Sequence, residues 1–361
     1  MKIKYKLMNG ADAIKLGFIS ISKKRNDIII ISEGVSDPSS FYGTIKDLDK
    51  YFSKDKIIEM PLSESALTGI SIGAAMNDYR PILNYHRVEF ALLAMEQLVN
   101  NAAKSYYISN GKHKIPFVLR LVVGRGWGQG PAHSQSLENF FSSIPGLKVI
   151  MPTFPNDSKE LLLGAIEDNN PVIIIEHRWC HYINEKVKIS YSKSSLDSGP
   201  KKIVSGKDYT IVATSYNVLE AIEASKILKK IGINIEIFDL RILRPLKLKK
   251  IITSVFKTGR ILTIDTGFKV LGMGSEISSE VTEKCFYALK SPPRRMGFPD
   301  HPTPSSRGYL KNVYPNFYKI CKVISEDLNI KSNLWKLVEK EIKKRETKTI
   351  DVPNEIFKGP F

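Results

Sequence analysis

Residues 59–82, EMPLSESALTGISIGAAMNDYRPI, read as the end of a strand, a turn, a helix and the start of the next strand. The helix is crowded with small residues, Gly69, Gly73, Ala74 and Ala75, which leave room for another backbone or a flat ligand to come close. Glu64 stands at the turn, at the mouth of that helix. By residue type alone, the plainer reading is a first-turn carboxylate favoured by the helix dipole, beside the capping serines Ser63 and Ser65.

On either side of this stretch, NDIIIISEG (26–34), KIIEM (56–60), RPILNYH (80–86), IPFVLRLVVG (115–124), GLKVIMP (146–152) and PVIIIEH (171–177) are predicted strands. Between them, VEFALLAMEQLVNNAAKSYY (88–107) is predicted as one long helix, and NDSKELLLGAIED (156–168) as a helix opened by Asn156 or Asp157. Apolar runs that do not alternate suit a parallel sheet covered on both faces. The polar, lysine- and serine-rich stretch after them has no helical period and reads as a linker. A second α/β unit comes next, with predicted strands DYTIVATS (208–215), INIEIFDL (233–240) and GRILTIDT (259–266) and a helix, YNVLEAIEASKILKKIG (216–232), ended by Gly232. The expected fold class is α/β, with two three-layer domains and mostly parallel sheets. The expected boundaries are 1–187, a linker at 188–207, a second domain at 208–345 and a tail at 346–361.

The 361 residues suit two such cores, and 42% hydrophobic residues with 23 Gly and 19 Pro exclude collagen-like and disordered classes. No apolar run approaches the roughly 20 residues of a membrane span, so no membrane partner is expected. Cys180, Cys285 and Cys321 are odd in number and far apart, which argues against a disulfide framework and for a reducing compartment. The first residues lack a signal-peptide pattern, and the expected location is cytoplasmic. The net charge of +17 invites a nucleic-acid partner. The lysines are scattered, however, and no stacking aromatics are interleaved with basic clusters, so no nucleic acid is expected and a solvated basic face is the plainer reading.

A second informative stretch is VVGRGWGQGPAHSQS (122–136). Its alternating glycines fit neither the dinucleotide fingerprint nor the P-loop, and the better reading is a glycine-rich loop presenting His133. His177, Cys180 and His181 in EHRWCHY are too few for a closed zinc site.

Several segments, PLSESALTGISIGAAM, RPI, FALLAMEQLVNNAAK, IPFVLR, HSQS, PGLKV, AIEDNNPV and DLRILRPL, resemble in this order the beta chain of the thiamine-diphosphate-dependent 2-oxoacid dehydrogenases. That group includes the pyruvate, branched-chain and acetoin dehydrogenases, and the likeness covers about residues 10–320. The resemblance implies a transketolase-like pyrimidine-binding domain followed by a transketolase C-terminal-like domain. It also implies decarboxylation of a 2-oxoacid, with the acyl group passed to a lipoyl group on a separate acyltransferase. Glu64 becomes the carboxyl group that exchanges a proton with the pyrimidine ring nitrogen of thiamine diphosphate. Phe90 packs on that ring, Tyr85 lines the pocket before it, and His133 lies close to substrate and to the incoming lipoyl group.

At AIEDNNPV the resemblance implies a potassium ion held by Phe117, Ala165, Ile166, Asp168 and Asn170; the plain alternative is a helix C-terminus closed by Asn in a left-handed turn. Asp239, Arg241 and Pro245 are expected to be scaffold at the domain interface. Trp127 and Gln129 depart from the pattern and leave the substrate open.

The Gly-Asp-Gly motif with which thiamine enzymes grip the diphosphate and its magnesium is absent from the sequence. The missing half of the site is then expected from an alpha-type subunit, most simply in a two-alpha, two-beta tetramer, and this chain alone is expected to be inactive. Two rivals stand beside this reading. One is the C-terminal half of a split transketolase or deoxyxylulose-phosphate synthase, for which His301 and Arg307 would serve a sugar phosphate. The other is a basic binding module that keeps the fold without the chemistry.

Overall fold

The computed structural model describes residues 4–125, 129–310 and 313–345. In the first unit β1 (Tyr5–Asn9) leads into α1 (Gly10–Ser22), whose start is capped by the Asn9 side chain accepting from the Asp12 amide at 2.8 Å. Next come β2 (Ile28–Ser32), β3 (Ile57–Glu59), α2 (Glu64–Met76), β4 (Arg80–Tyr85), α3 (Ala103–Ile108), β5 (Val118–Val123), α4 (Glu138–Ser142), β6 (Lys148–Ile150), α5 (Pro155–Glu167) and β7 (Val172–His177). Then β8 (Asn184–Lys188) returns antiparallel to β1. The second unit contains β9 (Lys201–Val204), β10 (Tyr209–Ala213), α6 (Asn217–Lys229), β11 (Ile235–Asp239), β12 (Ile242–Arg244), α7 (Lys249–Thr258), β13 (Ile261–Phe268), α8 (Met273–Cys285) and β14 (Arg294–Phe298). Helices at Phe317–Asp327 and Ser332–Lys343 close it.

The first sheet has seven strands in the order β12-β6-β7-β5-β4-β2-β3, and all but β12 run parallel. The second has five, β14-β13-β10-β11-β9, parallel except for β9. The continuous apolar strands are buried on both faces: every residue of β5, β7, β10 and β11 is inside. No helix among the described residues is long and apolar enough to cross a membrane.

Several expectations need correction. The stretch read as a linker contains β9, which pairs with β11. The second unit also lends β12 to the first sheet, where Ile242 lies opposite Ile150. One hydrophobic cluster accordingly joins Val149 and Met151 to Leu240, Leu243, Val255 and Ile277, and the two units share a core. The predicted long helix over 88–107 is built of 3₁₀ turns at Val88–Ala94, a π segment at Gln97–Ala102 and α3. Helix α5 opens on Pro155, preceded by Phe154, and not on Asn156 or Asp157. Asp157 is used otherwise: it accepts from Arg241 Nη1 and Lys201 Nζ, each at 2.8 Å, a tie consistent with Arg241 as scaffold.

At the centre of the first sheet lies a charge that the strand pattern conceals. Arg120 of β5 is completely buried, with Phe18 and Phe41 rings against its guanidinium. It donates to both Glu176 oxygens (2.7 and 2.9 Å), to Asn84 Oδ1 (2.8 Å) and to Thr44 Oγ1 (3.0 Å). Glu176 also bonds His181 Nε2 at 2.9 Å, so this histidine, weighed above as a metal ligand, belongs to the same network. Among the described residues no group of three or more His, Cys, Asp or Glu is placed to hold a metal ion.

Candidate active site

The site forms where β4 ends and α2 begins. Glu64 is the first residue of α2 and is buried, at 7% exposure. Its carboxylate has no hydrogen-bond partner among the described residues. Ser63 makes no side-chain cap bond, so the capping expected of it is not seen. The helix start is held instead from behind. The Tyr85 hydroxyl donates to the Glu64 carbonyl oxygen at 2.7 Å and shares a 2.7 Å bond with Thr68 Oγ1.

This arrangement corrects the role expected of Tyr85. The side chain is completely buried in the core, and burial pushes its phenol well above the ordinary range. It braces Glu64 and does not line an open pocket. Strand geometry is the reason: alternate residues of β4 face opposite sides of the sheet, and residue 85 falls on the side covered by α2.

Phe90 is half-buried and packs against the cluster that contains Tyr85 and Val88. Its ring meets the exposed His133 ring edge-on, with centroids 5.7 Å apart. The fold thus brings Phe90 and His133 together, with Phe90 on a segment that packs against α2. Two residues that sequence reasoning missed also enter. Arg87 Nη1 donates to the His133 carbonyl at 3.3 Å, and Glu89 Oε1 accepts from the Gln135 amide at 2.7 Å. Burial pushes the Glu89 carboxyl up, against the pull of the Gln135 amide, Arg87 and His133.

Trp127 lies outside the described residues. At the near end of its loop, Arg125 is wedged between the rings of Trp179 and Tyr216, at 4.9 and 5.2 Å. It donates to the Pro315 carbonyl and to Glu220 Oε1, both at 3.0 Å, which ties this end of the loop to the second unit.

The residues named for potassium surround one turn but are already engaged. The Phe117 carbonyl accepts from the Val172 amide, and the Ala165 carbonyl from the Asp168 amide. The carbonyls of Ile166 and Asp168 accept from Arg80 Nη1 at 2.7 and 2.8 Å. Asp168 Oδ1 accepts from the Asn170 amide and side chain, while Oδ2 meets Lys148. Arg80 and Lys148 thus already bring positive charge to the oxygens of this turn.

The aminopyrimidine end of thiamine diphosphate is a different case. A carboxyl with no described hydrogen-bond partner at a braced helix start, with a half-buried aromatic ring on the segment packed against that helix, fits a flat heterocycle that offers a ring nitrogen. Leu62 just before α2, Ile70 on it, and Leu93, Tyr107 and Ile108 on the helical stretch after β4 are more than half exposed, at 83, 62, 64, 88 and 77%. A Cβ built on Gly73 would meet nothing within 4 Å.

Comparison with known proteins matches two stretches of the chain to family models. Residues 6–180 match the family Transketolase, pyrimidine binding domain, and residues 200–318 match Transketolase, C-terminal domain. Fold and site therefore define a two-domain protein of the transketolase-like class. A solved split gene transketolase, an inactive beta4 tetramer, shares the fold with a TM-score of 0.72, at 19% identity over 90% of this chain and 99% of that one. The pyruvate dehydrogenase E1 component subunit beta of Saccharomyces cerevisiae mitochondria is 33% identical over 90% of each chain. The mitochondrial subunit of Bos taurus is 34% identical over 88% of this chain and 90% of its own, and the pyruvate dehydrogenase E1 component subunit beta of Rhizobium meliloti is 32% identical over 88% of this chain and 69% of its own. The chain belongs to the family of these beta subunits, the beta chains of thiamine-diphosphate-dependent 2-oxoacid dehydrogenases.

Proposed function

We propose that this chain is the beta subunit of a thiamine-diphosphate-dependent 2-oxoacid dehydrogenase that is active only with an alpha-type subunit. The observation that carries the reading is Glu64, 7% exposed and with no hydrogen-bond partner for its carboxylate among the described residues, on a helix against which the segment carrying Phe90 packs, with the His133 ring edge-on to Phe90. Glu64 exchanges a proton with the pyrimidine nitrogen it faces, and Phe90 covers the ring. His133 handles a proton on the substrate or lipoyl side. When bound, thiamine diphosphate supplies the electron sink for decarboxylation. The chain has no Gly-Asp-Gly sequence, so the diphosphate and its magnesium are assigned to the partner. The exposed apolar face along α2 fits that partner in a two-alpha, two-beta tetramer. A lipoyl acyltransferase is the proposed acyl acceptor. Three free, buried cysteines suit a cytoplasmic location.

Reconstitution tests the reading. The chain is purified alone and with the subunit that co-purifies from its native cell, and cofactor-dependent release of carbon dioxide from a panel of 2-oxoacids is measured. No activity is expected alone and activity with acyl transfer to dihydrolipoamide is expected for the pair. Transfer of a ketol group to an aldose, with no turnover linked to lipoyl groups, would move the assignment to a split transketolase.

A further inference from the structure

We propose that Arg87 and Glu89 are positioning residues, which clamp the main chain of residues 133–135 and so hold the His133 imidazole against Phe90. The proposal rests on the reading that His133 serves the reaction. The clamp has two contacts, both to backbone: Arg87 Nη1 to the His133 carbonyl at 3.3 Å, and the Gln135 amide to Glu89 Oε1 at 2.7 Å. Because they grip the chain on both sides of Ser134, they set the backbone from which the imidazole projects, and no described residue bonds its ring nitrogens. Phe90 comes directly after Glu89, and its own amide donates to the Arg87 carbonyl at 3.3 Å. One short segment therefore places both the ring and the two groups that hold His133 to it.

Glu89 is half-buried and Arg87 is 7% exposed, so both contacts are partly sheltered from water. The far side of the same stretch is fixed independently by the second unit. Thr303 Oγ1 reaches the Ser134 carbonyl at 3.4 Å, and Glu138 Oε1 accepts from the Gly267 amide at 2.7 Å. Loss of the clamp should therefore loosen the His133 side without detaching the segment from the protein. A displacement of the order of 1 Å at a reacting group lowers rates by up to about 100-fold.

The test compares Glu89→Ala, Glu89→Gln, His133→Ala and the double variant, each assembled with the partner subunit. Glu89→Ala should lower kcat about 10- to 30-fold with the Kd for thiamine diphosphate changed less than about 3-fold. Glu89→Gln keeps an acceptor for the Gln135 amide and should restore kcat to within about 3-fold of the parent. If Glu89 acts through His133, the double variant is no slower than His133→Ala alone. In the cofactor-free assembly, amide hydrogen exchange across 133–136 should quicken in Glu89→Ala and not in Glu89→Gln. Unchanged turnover in Glu89→Ala, additive losses in the double variant, or unchanged exchange would each overturn the clamp. A Glu64→Gln control separates the two levels: if that variant turns over normally, the underlying reading has failed, whatever Glu89 does.

Discussion

Replacing Glu64 by glutamine in the assembled enzyme is expected to lower turnover by at least about 100-fold, the loss typical of removing acid–base help, while thiamine diphosphate still binds. Glutamine has the same length and keeps an acceptor oxygen, but it cannot exchange a proton with a ring nitrogen. The scaffold should not notice the change. Tyr85 holds residue 64 through its main-chain carbonyl, which the substitution leaves in place, and no described side chain bonds the carboxylate. Melting temperature should stay within about 2 °C of the parent, a shift below 1 kcal/mol. Kinetics of the reconstituted enzyme, thermal melting and a cofactor titration together check all three expectations. Wild-type turnover would remove Glu64 from the reaction.

The largest expected effect on stability comes from Arg120. Arg120→Met leaves Glu176 buried in the middle of the sheet with His181 as its remaining ionisable partner, and breaking a buried pair in this way costs about 3–5 kcal/mol. For a domain of this size that is a fall in melting temperature of roughly 10 °C. The pH dependence should change as well. Burial alone would raise the Glu176 carboxyl, but Arg120 and His181 outweigh it and hold its pKa down at about 2, from an ordinary 4.5. A carboxyl depressed in the folded state adds stability that is complete above its unfolded pKa and is lost as pH falls through the folded value. The parent should therefore lose stability between about pH 4.5 and 2, and Arg120→Met should show less of that acid loss. Melting curves across this range measure it. The double change Arg120→Met with Glu176→Leu should recover much of the deficit, because a pair of apolar side chains leaves no charge without a partner.

The sequence made the strongest elements legible because their signals are local. Apolar runs at 28–32, 118–123 and 172–177 are strands of one parallel sheet, and the helix of small residues after Glu64 stands where its pattern puts it. What escaped depends on partners distant in the chain. β9 and β12 are short and without period, and only their pairing with β11 and β6 makes them strands. The role of Tyr85 turns on which face of β4 it occupies, and a strand buried on both faces carries no alternation from which to tell. Arg87 and Glu89 bond residues 46 positions away, so nothing beside them in the chain announces the contact. Arg120 was within reach: a lone guanidinium in LRLVV and a lone carboxylate in IIIEH each break an apolar run, and two buried charges of opposite sign need one another.

A crystal structure of the chain with its partner subunit and thiamine diphosphate, read for the distance between the Glu64 carboxylate and the nearest pyrimidine ring nitrogen, is the decisive measurement. A separation of about 2.6–3.2 Å, at the seam between the two subunits, is the expected result. A Glu64 side chain turned to bulk solvent, or a cofactor seated wholly within one chain, would contradict it.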